Sequence, residues 1–212
     1  MKIDPKNLQI HNQIYSSKGN LGMSKLDDAS ASFIKVFASD LLNSKNSEEA
    51  LKLLDDHVAS GQIEQKNGVL YKSGVYHIQN LFRFDGVPYK NTLSQLNKLN
   101  TSIVPELVKT VEKDDDIFII TCIKGTTSGD LIPFSEMRGK IPKENLIEAY
   151  RELQKITKAG IVDNSVLRSA SAWFVTPDDN KIVIPEWGQV RPLQPNEGKE
   201  VMEQYYSILF NK

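Results

Sequence analysis

The chain has 212 residues, of which 40% are hydrophobic and 25% are charged, and its formal net charge at pH 7 is −1. These values are typical of a soluble globular protein with one large or two small domains, and they exclude an overall electrostatic attraction to nucleic acid or anionic lipid. The single cysteine, Cys122, excludes an internal disulfide framework and a zinc site built from cysteines.

Residues 1–29 are polar and irregular, and they predict a flexible N-terminal arm. This stretch lacks the apolar core of a signal peptide, and no apolar run in the sequence approaches the ~20 residues that a membrane-spanning helix needs. We therefore expect a cytoplasmic protein that binds no membrane. Secretion into a host cell by a route that uses no hydrophobic signal is also compatible with this pattern.

Two helices are predicted in residues 30–60, which form a helical N-terminal segment. The first follows from an apolar stripe at helical spacing, formed by Phe33, Val36, Phe37 and Leu41. The second is predicted to begin at Ser47, a favourable N-cap residue, and to end at Gly61.

Residues 61–123 have the pattern of a small β-rich lobe. The dipeptide Asn67-Gly68 predicts a tight hairpin, because both residues tolerate positive φ angles. The other predicted elements of this lobe are a strand over 76–84, a turn at Asp85-Gly86, a short helix over 92–99, and strands over 107–111 and 117–123.

Residues 124–212 have a more helical pattern. Pro142 opens a long amphipathic helix, and Gly160 is suited to the position that follows its end. The other predicted elements are strands over 173–176 and 181–184, the turn 177–180 between them, and a last helix over 199–209. A long helix beneath a small hairpin should bury Leu153 and Trp173.

The order of these elements resembles the protein-kinase-like fold. In that α+β architecture a small lobe, built on an antiparallel sheet, is joined by a hinge to a helical lobe. The resemblance covers residues 61–192 and places the hinge near residues 124–130, between the two lobes predicted above. The compact layout is similar to that of small bacterial kinase-like effectors.

The resemblance implies ATP and magnesium as cofactors if the site is intact, and no cofactor if it is degenerate. A glycine near the nucleotide phosphates falls on Gly74, in the stretch KSGVY. The third strand of kinases carries a lysine that pairs with the phosphates, and Arg83 stands there in this chain. Lys124 lies at the hinge, where backbone groups hold the adenine ring.

Catalytic and metal-binding positions follow in the helical lobe. The resemblance makes Asp163 the candidate catalytic residue, which would orient the acceptor hydroxyl, and Asn164 a candidate metal ligand. An apolar run then ends in Pro185-Glu186-Trp187-Gly188, where kinases end a strand in Asp-Phe-Gly. Glu186 is therefore the second candidate metal ligand. A structural ion pair with Arg191 is the alternative role for Glu186.

These positions depart from the kinase pattern. Arg83 keeps the charge of the lysine but changes its reach, and residues 87–105 contain no acid to pair with it. No asparagine follows Asp163 at a spacing of five residues, and Glu186 is longer than the usual aspartate. We therefore expect a catalytically degenerate kinase-like domain, or pseudokinase, that serves as an interaction or regulatory platform for a protein partner.

Two other interpretations are left open by the sequence. The first is an active atypical kinase or phosphotransferase that uses ATP, with Asp163 and Glu186 in the chemistry. The second is a winged-helix-like or adaptor interaction module, for which residues 32–72 supply two helices and a hairpin. Nucleic acid is not expected as a partner of such a module, because the helix that would contact DNA is rich in acidic residues, namely Glu48, Glu49, Asp55 and Asp56.

Overall fold

The structure is a computed structural model that describes residues 25–68, 70–123, 126 and 130–211. It has a mixed α+β architecture, which confirms the predicted fold class at that level. Most of the arm predicted for residues 1–29 lies outside the described residues. None of the helices within the described ranges is long and apolar enough to cross a membrane.

Two N-terminal helices are followed by groups of strands with helices between them. The helices are α1 (Lys25–Asn43), α2 (Ser47–Ala59), α3 (Arg83–Asn97), α4 (Phe134–Met137), α5 (Lys143–Lys158), α6 (Asn164–Arg168) and α7 (Gly198–Phe210). The strands are β1 (Glu64–Asn67), β2 (Leu70–Ser73), β3 (Tyr76–Phe82), β4 (Glu106–Lys113), β5 (Asp116–Cys122), β6 (Ile132–Pro133), β7 (Ile161–Asp163), β8 (Phe174–Val175), β9 (Ile182–Val183) and β10 (Val190–Pro192).

Strands β1 to β5 form one antiparallel sheet in the order β1-β2-β3-β5-β4. The apolar sequence of β5 is explained by this order, because β5 is paired on both sides and buried along most of its length. Successive residues of a strand point to opposite faces of its sheet, so β5 contributes to two separate cores.

The two faces of this sheet are covered by different parts of the chain. On the outer face, α1 and α2 bury Phe37, Leu41 and Leu54 against Ile78 and Phe118. On the inner face, α3 and the second half of the chain share one apolar core with Ile117 and Ile119, which also includes Leu93, Leu153, Trp173, Ile182 and Ile184. The predicted strands over 117–123 and 181–184 therefore meet in a common core.

The segment after β3 differs from the prediction. The predicted strand over 76–84 ends at Phe82, and α3 begins at Arg83, so Asp85-Gly86 lies in a helix and not in a turn. Gly86 permits a close approach of α3 to the sheet: a Cβ atom on it would lie 1.8 Å from Cγ2 of Ile117. The glycine therefore reflects helix–sheet packing, which the local pattern does not reveal. The predicted helix over 92–99 is the second half of α3.

Replacing Gly86 with alanine should destabilise the protein by about 1–3 kcal/mol, the usual cost of overpacking a core. The added methyl group forces α3 away from Ile117, and the higher helix propensity of alanine, worth ~1 kcal/mol, offsets only part of this cost. Urea unfolding of both proteins gives the difference. Gly188→Ala is the matched control, because a Cβ atom there meets nothing within 4 Å. Equal stability of wild type and Gly86→Ala would show that α3 packs less closely.

The N-cap of α2 and the turn of the first hairpin each differ from the prediction by one residue. Asn46, and not Ser47, caps α2, because its Oδ1 accepts a 2.9 Å hydrogen bond from the backbone N–H of Glu49. The Ser47 hydroxyl instead donates to the carbonyl of Lys113 at 2.6 Å and ties α2 to the turn between β4 and β5. In the first hairpin Asn67 pairs with Leu70, so Asn67 is the last strand residue and not part of the two-residue turn.

The second half of the chain follows the predicted pattern. Pro142 immediately precedes α5, and Gly160 follows the helix with a φ of +76°. The predicted hairpin is formed by β8 and β9, and β6 pairs with β8. Strand β7 pairs with β10, which lies just beyond Glu186. The burial predicted for Leu153 and Trp173 is confirmed, since both are 0% exposed.

Candidate functional site

The candidate site lies where β3 and α3 meet the segment that follows β9. We call the set Gln79, Tyr89 and Glu186 the Glu186 junction. The hydroxyl of Tyr89, on α3, donates a 3.3 Å hydrogen bond to the carbonyl of Pro185. Burial raises the pKa of Tyr89, and the negative charge of Glu186 raises it further. The phenol is therefore neutral at physiological pH and close to the Glu186 carboxylate.

Gln79 brings a second neutral side chain to the junction. Its β-sheet neighbours are Leu70 on β2 and Ile119 on β5. The polar side chain of Gln79 lies beside the Tyr89 hydroxyl and lowers the pKa of Tyr89. This lowering is smaller than the rise caused by burial. The side-chain Oε1 of Gln79 is buried and has no hydrogen-bond partner among the described residues.

Glu186 itself is exposed, and no described residue forms an ion pair with it. The neighbouring Trp187 is 1% exposed, and its Nε1 donates a 2.9 Å hydrogen bond to the carbonyl of Ile184. This buried indole anchors the segment that carries the Glu186 carboxylate. The alternative ion pair between Glu186 and Arg191 is not observed, because Arg191 pairs with Glu197.

Asp163 is fully buried at the end of β7, and its carboxylate is occupied by hydrogen bonds. Oδ1 accepts from the backbone N–H groups of Ser165 at 2.8 Å and Val166 at 3.2 Å, and also from the Ser165 hydroxyl. Oδ2 accepts from the backbone N–H of Gln189 at 2.9 Å. Asp163 therefore caps α6 and fixes the chain that follows Glu186.

Asn164 has a similar connecting role beside Asp163. Its Oδ1 accepts a 3.0 Å hydrogen bond from Nε of Arg191. The structure thus brings both predicted residues of the 163–164 pair to the segment that follows Glu186. A metal ion on Asn164 would compete with Arg191 for the same oxygen. No cluster of three or more His, Cys, Asp or Glu side chains suited to a metal ion occurs in the described part of the chain.

The two predicted nucleotide-binding residues that the structure describes, Gly74 and Arg83, are not brought to the junction. Gly74 forms the turn between β2 and β3 with a φ of +55°, and a Cβ atom there would lie 2.3 Å from Oγ of Ser30. This glycine therefore packs against α1, on the outer face of the sheet. Arg83 is the first residue of α3, and its Nη2 lies 3.2 Å from Oε2 of Glu112. Lys124 lies outside the described residues.

Arg191 and Glu197 form a bidentate ion pair next to Asp163. One of its two hydrogen bonds, from Nη1 of Arg191 to Oε2 of Glu197, is 2.8 Å long. The backbone N–H of Gln194 donates to the same oxygen at 2.9 Å. These hydrogen bonds, with that from Arg191 first, lower the pKa of Glu197 to about 2. The carboxylate therefore holds the segment after β10 in place.

Replacing Glu197 with glutamine should remove a pH-dependent part of the stability. A carboxyl group whose pKa is lowered by folding stabilises the native state above its unfolded pKa of about 4.3, and this contribution is lost as the pH falls toward about 2. Urea unfolding from pH 7 to pH 2 should show a steeper loss for wild type than for Glu197→Gln. Glu203→Gln, at the exposed Lys199–Glu203 pair, is the control. Parallel curves for wild type and Glu197→Gln would contradict this account.

The chain matches no protein-family model and no curated protein. The description of the site therefore rests on the positions and contacts of its own residues. The neutral phenol of Tyr89 lies near the exposed Glu186 carboxylate and beside Gln79, and the nearby Asp163 is buried and hydrogen-bonded through both carboxylate oxygens.

Proposed function

We propose that this chain has a kinase-like fold that has lost phosphoryl transfer and serves as a binding platform for a protein partner. The order of elements supports the proposal. An antiparallel sheet carries α3 between β3 and β4, and the long helix α5 is followed by β7 and the β8–β9 hairpin. Strand β7 pairs with β10, and Asp163 accepts a hydrogen bond from the backbone N–H of Gln189 in the segment that follows Glu186, which also supports the proposal.

The observation that carries the proposal is that Gln79 and Tyr89, the two other members of the Glu186 junction, carry no positive charge. Kinases position ATP with a strand lysine paired to a helix glutamate, and with an aspartate that holds magnesium. Here α3 places Tyr89 near Glu186, and Gln79 on β3 lies beside the Tyr89 hydroxyl. Neither side chain is positively charged, so neither neutralises the charge that develops on a transferred phosphoryl group. A nucleotide would therefore gain little transition-state stabilisation at this junction.

The environment of Asp163 supports the same conclusion. A carboxylate that orients an acceptor hydroxyl must reach the substrate at hydrogen-bond distance. Asp163 is 0% exposed, and it accepts hydrogen bonds from three backbone N–H groups. Its geometry fits a structural link between β7 and the segment after Glu186.

Exposed aromatic side chains support the role of a binding platform. Phe82 is 71% exposed and Phe84 is 89% exposed, and both lie where β3 ends and α3 begins. Large exposed apolar groups that lie together are typical of protein-interaction surfaces.

A second candidate function is phosphoryl transfer by an atypical kinase. The observation that favours it is the exposed Glu186 carboxylate, which forms no ion pair with a described residue. In this alternative Glu186 holds a magnesium ion of the ATP complex, and Asp163 orients the acceptor hydroxyl after its loop has rearranged. The two functions make opposite predictions for ATP turnover.

The test is transfer from radiolabelled ATP, with magnesium or manganese, to the protein itself and to a general protein substrate. Wild type, Asp163→Asn and Glu186→Gln should all give the signal of a blank without protein. Robust transfer by wild type that disappears in both variants would overturn the proposal and establish the atypical kinase. Circular dichroism of each variant shows whether a loss of signal reflects unfolding.

The platform itself is tested by quantitative affinity capture with Phe84→Ser and with the control Phe33→Ser, whose side chain packs against the outer core. A specific partner should be depleted by Phe84→Ser while the melting temperature of the protein stays unchanged. If every captured protein binds wild type and Phe84→Ser equally, this surface is not the platform.

A further inference from the structure

The exposed aromatic residues at the end of β3 lie beside a turn that is rich in carboxylates. Phe82 is the cross-strand partner of Asp116, the first residue of β5. The backbone N–H of Arg83 donates a 2.7 Å hydrogen bond to the carbonyl of Asp115. The turn between β4 and β5 therefore lies next to the residues that join β3 to α3. We call Phe82, Phe84, Asp85, Asp114 and Asp115 the Phe84 surface.

The three carboxylates of the Phe84 surface are not paired with a described cation. Asp85, in the first turn of α3, and Asp115, in the β4–β5 turn, are both exposed, and neither forms an ion pair with a described residue. Asp114 is exposed as well, and its Oδ2 accepts a 2.7 Å hydrogen bond from the backbone N–H of Ser47, which is a neutral donor. Their negative charges are therefore available to a binding partner.

The basic residues in the same elements are held by other partners. Arg83 and Lys90 both pair with Glu112, with N–O distances of 3.2 Å and 2.7 Å. The ammonium group of Lys113 donates to two backbone carbonyls near the end of α1, at 2.6 Å and 2.7 Å. Carboxylates therefore outnumber cations around the two phenylalanines.

The start of α2 adds further negative charge to this end of the sheet. Glu48 and Glu49 lie in its first turn. The hydrogen bond from the Ser47 hydroxyl to the carbonyl of Lys113, 2.6 Å long, holds this turn beside the β4–β5 turn. The acidic residues of α2, which argue against a nucleic-acid partner, thus lie next to the carboxylates of the Phe84 surface.

Exposed aromatic rings beside unpaired carboxylates select the chemistry of a partner. Carboxylates repel the phosphates of nucleic acid and of anionic lipid. A second copy of this chain, related by two-fold symmetry, would bring the same acidic surface against itself. A polypeptide segment that carries both apolar and basic side chains complements the surface in shape of charge and in hydrophobic contact.

We propose that the Phe84 surface binds a segment of a protein partner in which apolar residues lie beside lysine or arginine. The inference rests on the proposed platform function and names the chemistry of its partner. The apolar side chains of the segment cover Phe82 and Phe84, and its basic side chains pair with Asp85 and Asp115. Because these carboxylates are exposed, salt screens the pairing, and the affinity falls as the ionic strength rises.

Fluorescence anisotropy at low ionic strength, with labelled peptides of equal length, tests this chemistry. In the first peptide lysine alternates with leucine; in the second glutamate replaces lysine, and in the third serine replaces leucine. Wild type should bind the first peptide and neither of the others. Binding of the glutamate peptide, or binding of the serine peptide as tightly as the first, would overturn the proposal.

Variants of the protein locate the binding to the Phe84 surface. The double variant Asp85→Asn with Asp115→Asn should bind the first peptide about tenfold more weakly than wild type, because two ion pairs are lost. Phe84→Ser should weaken it to a similar extent through the lost aromatic contact. The double variant Glu200→Gln with Glu203→Gln, which removes the same charge from exposed positions of α7, is the matched control and should bind like wild type. Equal affinities of wild type and the Asp85–Asp115 variant, or an equal loss in the α7 control, would overturn the site.

The outcome for partner chemistry can be separated from the outcome for the platform itself. The substituted side chains are exposed, so the variants should fold, and their melting temperatures check this. If affinity capture loses a protein with Phe84→Ser but not with the Asp85–Asp115 variant, the platform stands and the basic segment is wrong. If capture is unchanged by either and no peptide binds, both proposals fail.

Discussion

Replacing Trp173 with alanine should lower the free energy of unfolding by about 3–5 kcal/mol, the usual cost of removing a buried tryptophan. The indole is fully buried between Phe134 and Tyr205, with ring centroids at 6.0 Å and 6.1 Å. Its Nε1 donates a 3.0 Å hydrogen bond to the carbonyl of Val166. The substitution therefore creates a large cavity and leaves a buried carbonyl without its donor.

Urea unfolding of purified wild type and Trp173→Ala measures this effect. Leu153→Ala, which also truncates a fully buried side chain of the same core, should cost about 2–5 kcal/mol. Phe84→Ala is the matched control, because an aromatic side chain that is 89% exposed contributes little to stability. A change within ~0.5 kcal/mol for Trp173→Ala would mean that the second half of the chain is not packed around this residue.

Replacing Asp163 with alanine should cost about 3–5 kcal/mol, because the backbone N–H groups of Ser165, Val166 and Gln189 lose a buried, charged acceptor. The loss should also loosen the segment that carries Glu186, since Gln189 lies three residues beyond it. Asp163→Asn keeps one carbonyl-type acceptor and should cost about 1–3 kcal/mol. Urea unfolding of the three proteins measures both differences.

The comparison also separates a structural role of Asp163 from a catalytic one. A structural aspartate gives a graded loss of stability, largest for alanine and smaller for asparagine. If Asp163→Ala were as stable as wild type, the buried hydrogen bonds would contribute nothing, and a role in chemistry would become the better explanation of this residue.

Elements with a strong periodic pattern could be predicted from the sequence. The apolar run of β5 and the helical stripe of α5 each reflect burial on a defined face, which local spacing reports directly. The turn residues Gly160 and Asn180 have positive φ angles of 76° and 55°. Glycine and asparagine tolerate this conformation better than most residues, so the turns could be predicted from the residue types. These elements fix the mixed α+β class and the position of the core.

The junction residues could not be predicted, because they depend on contacts between distant segments. The kinase resemblance places the strand cation at Arg83, because the sequence after Tyr76 gives no sign that β3 ends at Phe82. The alternation along β3 does place Gln79 on the same face as Leu81, and this was the available signal. The role of Tyr89 has no local signature, because its contact with Pro185 spans 96 residues.

The ion pair between Lys72 and Asp130 could not be predicted for the same reason. Lys72 and Asp130 are 58 residues apart, and each looks like an ordinary surface charge in its own segment. Only the strand register, which pairs Lys72 with His77, shows that this lysine faces the inner side of the sheet.

Calorimetric titration of wild type with ATP, in the presence of EDTA and then of excess magnesium, tests most directly whether the Glu186 junction has lost its role in phosphoryl transfer. We predict no gain in affinity with magnesium, and the same result for Glu186→Gln, because neutral Gln79 and Tyr89 cannot help Glu186 to hold a metal–nucleotide complex. A tenfold or larger gain with magnesium in wild type that is absent in Glu186→Gln would contradict the account.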